Sequence, residues 1–180
     1  MAVLKVAHLG HPVLRQVAEP VPPDAIRGGG IQQLIDDMLE TMDDQDGAGL
    51  AAPQVHVSRR VVVYGVPGDP AHPDVESVPL TILINPKITP VGSAQEEDWE
   101  GCLSVPDLRG MVPRWRSIRV QAFGRDGAPL AFATSGFHAR VVQHECDHLD
   151  GMVYLDRMTS METLTFLPEF HRYWLGREQG

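Results

Sequence analysis

The chain has 180 residues, 43% of them hydrophobic and 22% charged, which is the balance of one water-soluble globular domain spanning residues 1–180. Fifteen Lys and Arg against 24 Asp and Glu leave a formal net charge of −9, a balance that repels phosphate backbones and argues against general nucleic-acid binding. No apolar run is long enough to span a bilayer, and Met1 to His8 is too short and too lightly charged for a secretory signal, so a cytoplasmic protein without membrane contact is expected.

In chain order, Leu9 to Arg15 reads as a turn into a short helical piece, and Ala18 to Pro23 as an extended, proline-stiffened segment. Gly28-Gly29-Gly30 reads as a flexible joint. Ile31, Leu34, Ile35, Met38, Leu39 and Met42 then recur at helical spacing, and Asp36, Asp37, Glu40, Asp43 and Asp44 fill the opposite, solvated face. Asp46 to Gln54 is a Gly- and Ala-rich loop that lets backbone come close to a ligand. It lacks the Gly-Lys-Ser/Thr ending of a phosphate cradle. Arg59 to Val66 is a strand, and 67–79 is an exposed loop rich in Pro, Asp and Gly. Leu80 to Ile88 is a strand broken or bulged at Pro86, and Ser117 to Phe123 and Pro129 to Thr134 form a pair joined by the Asp126-Gly127 turn. The tail from Met161 carries Leu164, Phe166, Leu167, Phe170, Tyr173 and Trp174. It packs on something, either as helix or as strand.

Gln143 to His148 contains His-Glu-x-x-His on a predicted helix, with Thr134 and Ser135 as N-terminal hydroxyl caps and Gly151 as the left-handed stop. Residues four apart project from one helix face, so His144 and His148 can grip one metal ion, and Glu145 can reach a water on it. Phe137 and Val141 continue the same stripe. Two His can equally be a hydrogen-bonded pair with no ion, and a catalytic site needs a third protein ligand. Downstream, His171, Asp150, Asp156 and Glu162 lack a convincing spacing. Upstream, Cys102 in Glu100-Gly101-Cys102-Leu103-Ser104 is the better candidate, although a lone Cys is more often a small buried hydrophobe. Cys146, about 200° around the helix from His144, should point into the core. A disulfide between the two cysteines is not expected in the cytosol.

Gly47-Ala48-Gly49-Leu50-Ala51-Ala52-Pro53-Gln54, Glu100-Gly101-Cys102-Leu103-Ser104 and Gln143-His144-Glu145-Cys146-Asp147-His148 together resemble, in order and separation, the three signature motifs of peptide deformylase. Gly10 to Arg15 is similar to that family's start. The resemblance implies an α+β fold in which antiparallel β-sheets wrap a central helix carrying His-Glu-x-x-His, with an N-terminal helix packed outside. It implies metal ligation by Cys102, His144 and His148, with Fe2+ as the usual ion and Zn2+, Ni2+ or Co2+ as substitutes. It implies removal of the formyl group from N-formylmethionyl nascent peptides, and transient contact with the ribosome exit region. The long basic helix by which some bacterial members dock there is not evident. Ala48 departs from the larger aliphatic residue usual at its place, so a roomier cleft is expected there.

The chemistry agrees with those residues. Amide hydrolysis needs a nucleophile, an acceptor for the oxyanion and an acid for the amine. One thiolate and two neutral imidazoles leave a divalent ion with net positive charge, enough to acidify water. Glu145 is the expected general base and later acid. By resemblance, the Gln54 amide and the Leu103 backbone N–H receive the oxyanion. Phe137 and Val141 are expected in the wall of the methionine pocket, and Gly49 is expected to offer backbone to the substrate strand. Glu100 and Arg109 can form an ion pair that holds the cysteine loop, and Arg109 can equally be a surface charge. The competing readings are a zincin-type metallopeptidase, which shares the helix but has no need of Cys102, and an inactive metal-binding paralogue.

Overall fold

The computed structural model describes residues 2–68 and 76–175. The centre of the molecule is a five-stranded antiparallel sheet with the strand order β1 (Gly49–Ala51), β2 (Val61–Val66), β3 (Val78–Pro90), β6 (Ser117–Phe123) and β7 (Pro129–Ser135). A second sheet joins β4 (Gln95–Cys102), β5 (Val105–Trp115) and the short β8 (Thr165–Phe166), also antiparallel.

Strand β2 shows why the large sheet is covered on both faces. Val61 and Val63 point into one apolar cluster with Ile35, Met38 and Met42 of helix α1 (Gly29–Asp44). Val62 and Tyr64 point into another with Val141, Val142, Cys146 and Leu149 of helix α2 (Gly136–Leu149). Successive side chains of a strand alternate faces, so an unbroken Val-Val-Val-Tyr run is what a strand between two layers requires. Helix α1 lies on the outer face; α2 lies on the inner face and touches every strand of that sheet as well as β5. The long polar rim of α1 is solvated, with Asp36 paired to Arg125.

Three local expectations are corrected. Helix α1 begins within the glycine run, at Gly29, because the apolar stripe from Ile31 needs a preceding turn to dock. Ser135 is the N-cap of α2, but its side chain makes no capping hydrogen bond, and the same holds for Thr134, which lies in β7. The segment after Asp46 is not all loop: Gly49–Ala51 pairs with β2, and Ala52–Val55 forms a 3-10 turn. Other expectations hold. Register slips between Ile84 and Lys87, around Pro86, and Asn85 there adopts φ 53°. The Asn85 amide donates to Val21 O and accepts from Val21 N, which moors the proline-rich segment. The chain leaves α2 through Gly151 at φ 73°. Part of the expected loop 67–79 lies outside the described residues.

The acidic stretch before Cys102 is strand β4. Its apolar content is low because Arg114, Arg140 and the tail, instead of a hydrophobic layer, cover it. The tail itself resolves into β8, paired to β5 at Leu108 and Arg109, followed by helix α3 (Leu167–Tyr173).

Candidate metal centre

Helix α2 presents His144 and His148 on one side, with ring centroids 5.1 Å apart. At the end of β4, where the chain turns back from Cys102 to Val105, the Cys102 Sγ comes to 3.3 Å from His148 Nε2. The three prospective ligand atoms lie within 4.8 Å of one another. His144 Nδ1 is 2.8 Å from a Glu100 carboxylate oxygen, so its other ring nitrogen is the one available to an ion. The thiol is surrounded by donors: Ser104 N at 3.4 Å and Gln54 Nε2 at 3.5 Å. Burial alone would raise the Cys102 pKa, but the imidazoles of His148 and His144 outweigh it and hold the thiol well below its ordinary value. A thiolate with two imidazoles, one oriented by a carboxylate, is a donor set for zinc or a late first-row divalent ion with one position open. The residues therefore fit a metal, and Cys146 takes no part: it is buried in the core, and burial drives its thiol pKa upward.

Glu145 lies at the floor of a cleft of about 550 Å³ that also contains Cys102, His144 and Gln54. Its Oε2 is buried without a hydrogen-bond partner among the described residues. Burial raises its pKa to about 7, with His144 and His148 pulling the other way. The carboxylate rests directly on the Gly49 backbone. A Cβ at Gly49 would lie 2.4 Å from Glu145 Oε1, so only glycine fits. Gln54 is oriented at both ends: Oε1 accepts from Ala51 N at 2.8 Å, and Nε2 donates to Ser104 Oγ at 3.1 Å and toward Cys102 Sγ. Leu103, Ala48, Phe137 and Val141 all line the same cleft, Phe137 at its exposed rim. Gly49 belongs to β1, the edge strand of its sheet, with β2 as its partner on one side.

Glu100 does not pair with Arg109. Its carboxylate is gripped in bidentate fashion by Arg114, at 2.8 and 2.9 Å, and receives a further bond from Arg140 at 2.9 Å. Burial opposes its ionisation, but Arg114 and His144 overcome this and hold the carboxyl far below the usual carboxylate range. Arg114 also donates to Asp147, which Arg157 holds from the other side. Arg109 instead donates to its neighbour's carbonyl, Leu108 O, and lies flat over Gly101 in the cleft wall. It misses Glu100 because alternation along β5 turns it to the other face, whereas Arg114, across from Glu96 in the register, shares the buried face where the carboxylate sits.

The polypeptide deformylase family model matches residues 3–164. The chain belongs to this family. Among deformylase relatives, peptide deformylase 2 of Pseudomonas syringae pv. tomato is 46% identical over 92% of this chain and 92% of its own length. Peptide deformylase 2 of Pseudomonas putida is 51% identical over 83% and 84% of the two chains. Among solved structures, the Met-Ala-Ser-bound class I type b peptide deformylase from Acinetobacter baumannii superposes with a TM-score of 0.82 at 38% identity, covering 87% of this chain and 99% of that one. The actinonin-bound deformylase from Synechococcus elongatus gives 0.76 at 36% identity, over 89% and 81%.

Within this deformylase fold, eleven of the twelve residues singled out from the sequence line one cleft: Ala48, Gly49, Gln54, Glu100, Cys102, Leu103, Arg109, Phe137, Val141, His144 and Glu145. His148, 1% exposed, completes the candidate ligand cluster with Cys102 and His144. Arg109 is in the wall but not paired with Glu100. The residues that sequence reasoning missed are Arg114, Arg140 and Asp147. Asp147 sits inside the third motif, and an acid between the two candidate ligand histidines on a buried helix is a signal that a buried cation must face it.

Proposed function

We propose that this protein removes the formyl group from the N-terminal formylmethionine of nascent peptides. The observation that carries this reading is the meeting of Cys102, His144 and His148 within 4.8 Å, in a cleft that also holds Glu145 and Gln54. Fe2+ is the ion we infer for the cell, on the ground of family membership, with Zn2+, Ni2+ or Co2+ as substitutes that a mixed thiolate and imidazole set also accepts. When bound, such an ion supplies Lewis acidity that brings the pKa of water toward neutrality and polarises a carbonyl.

The chain's own residues supply the rest. Glu145 takes a proton on its carboxylate and returns it to the departing amine; its unpartnered, buried Oε2 leaves one oxygen free for that task. Gln54 is held in place by Ala51 N and Ser104 Oγ, so its amide is aimed before reaction begins. With the Leu103 backbone N–H it receives the negative charge that develops on the formyl oxygen. The methionine side chain enters the cleft along Phe137 and Val141, where Ala48 leaves extra width. The peptide backbone adds to the free edge of β1 at Gly49 as an extra strand. Glu100, itself clamped by Arg114, fixes the His144 tautomer. The substrate is made in the cytoplasm, next to the ribosome exit, and that is the location we infer. No helix among the described residues is long and apolar enough to cross a membrane.

The test is an anaerobic assay on formyl-Met-Ala with parallel metal analysis. The expected result is formate release with about one ion per chain, and loss of the ion in Cys102→Ala. Cleavage of an unformylated peptide with Cys102→Ala still loaded and active would mean a zincin-type metallopeptidase instead. A loaded protein that released no formate would mean an inactive paralogue.

A further inference from the structure

The cleft does not end at the residues the deformylase family model matches. Trp99 lines it three residues before Cys102 on β4, roughly 10 Å away at the usual rise of a strand. Alternation along β4 puts Trp99 and Gly101 on one face. Gly101 has no side chain there, and Arg109 fills the space above it. Helix α3 leans on this same face. Leu167 lines the cleft, the Phe170 ring meets Trp99 edge-on with centroids 4.8 Å apart, and Trp174 follows at 5.2 Å. Trp99, Leu167 and Phe170 are each only half-buried. The family match stops at residue 164, so the part of the wall contributed by α3 lies beyond it.

A peptide bound as an extended strand also advances about 3.3 Å per residue. With its formyl carbon at the Cys102 cluster, its third residue reaches the distance of Trp99. We propose that Trp99 and Leu167, with Phe170 bracing the indole, bind the side chain of the third residue of the substrate and favour a large apolar group over a small polar one. This rests on the deformylation reading for where the first residue sits. A flat indole braced edge-on by a second ring is a preorganised apolar surface, and partial burial of one large side chain on it corresponds to a preference of about 5- to 10-fold.

The experiment compares formyl-Met-Ala-Phe with formyl-Met-Ala-Ser by kcat/KM, and the product-like peptides Met-Ala-Phe and Met-Ala-Ser by calorimetric Kd. It uses the nickel-loaded full-length wild type, Trp99→Ala and Phe170→Ala. In wild type, Phe should be favoured over Ser by about 5- to 10-fold in both measurements, and each substitution should bring the ratio toward one. A ratio near one in wild type, or an unchanged ratio in both variants, would overturn the proposal. The calorimetric arm needs no turnover. Selective binding without formate release would fault the proposed reaction and leave the wall standing. Helix α3 lies outside the two main apolar clusters, so Phe170→Ala keeps the fold even if Trp99→Ala does not.

Discussion

Glu145 and Gly49 are a matched pair, since the carboxylate occupies the space a side chain at 49 would need. Gly49→Ala should therefore push the carboxylate off its seat and lower kcat/KM for formyl-Met-Ala by more than tenfold, with metal content unchanged. Equal activity would show that the contact is unimportant. Glu145→Gln keeps the shape but removes the proton carrier, so a drop of roughly 10²- to 10⁴-fold in kcat, again with the ion retained, is expected from steady-state kinetics. Cys102 brings a liability. A thiolate on iron is open to oxygen, whereas nickel is not readily oxidised. Activity should decay in air with iron and persist with nickel, and equal lifetimes in the two forms would refute this.

At the scale of elements, two 3-10 turns far apart in the chain are joined by Arg15, from Pro12–Arg15, and Asp156, from Tyr154–Arg157. Burial disfavours the Asp156 charge, but the Arg15 hydrogen bond, the Val153 N–H and the charges of Arg15 and Arg157 together prevail and lower its pKa below 3.8. A folded-state pKa below the unfolded value means stability that is present above pH 3.8 and lost as pH falls through the lower, folded value. The pair is part-exposed, so after solvent screening it contributes under about 1 kcal/mol. Denaturant titrations of Asp156→Asn should thus show a small deficit at pH 7 that closes on acidification below the carboxylate range. A constant deficit would mean the loss is one of packing. Elements also differ in how readable they were. Helix α1 and strand β2 announce themselves because apolar side chains mark each buried face. Strands β4 and β5 do not, because ions lie between them and α2: Glu100 on β4 and Arg114 on β5, with Arg140 reaching in from α2. An acidic strand whose partner cations lie 14 and 40 residues away leaves no local period to detect.

For the whole molecule, the ionic layer is the joint between sheet and helix. Arg114 from β5 holds Glu100 of β4 and Asp147 of α2 at once, and all three are at least nine-tenths buried. Removing one partner strands the others in a low-dielectric interior, so Arg114→Met should destabilise the fold by about 3–5 kcal/mol in equilibrium unfolding. A loss under 1 kcal/mol would mean that water reaches the layer. The ligands and Gln54 were legible because backbone geometry and metal chemistry confine them to short motifs. The supporting arginines were not, since any arginine reaching the right depth would serve, and Arg109 was the wrong choice among several. The tail read equally as helix or strand because Phe166 and Pro168 interrupt the helical spacing of Leu167, Phe170 and Trp174, and the face those residues share rests on Trp99.

Cys102 and the two histidines come from different layers: the thiol from the three-stranded sheet, the imidazoles from the helix seated against the five-stranded one. A cation shared among them would act as a rivet across that seam, and its grip would belong to folding as much as to turnover. At a free ion concentration one hundred times the dissociation constant, the native state gains about 2.7 kcal/mol. Stripping the ion with a chelator should lower the melting temperature by several degrees, Cys102→Ala should abolish that difference, and the seam between the layers should be where hydrogen exchange quickens first.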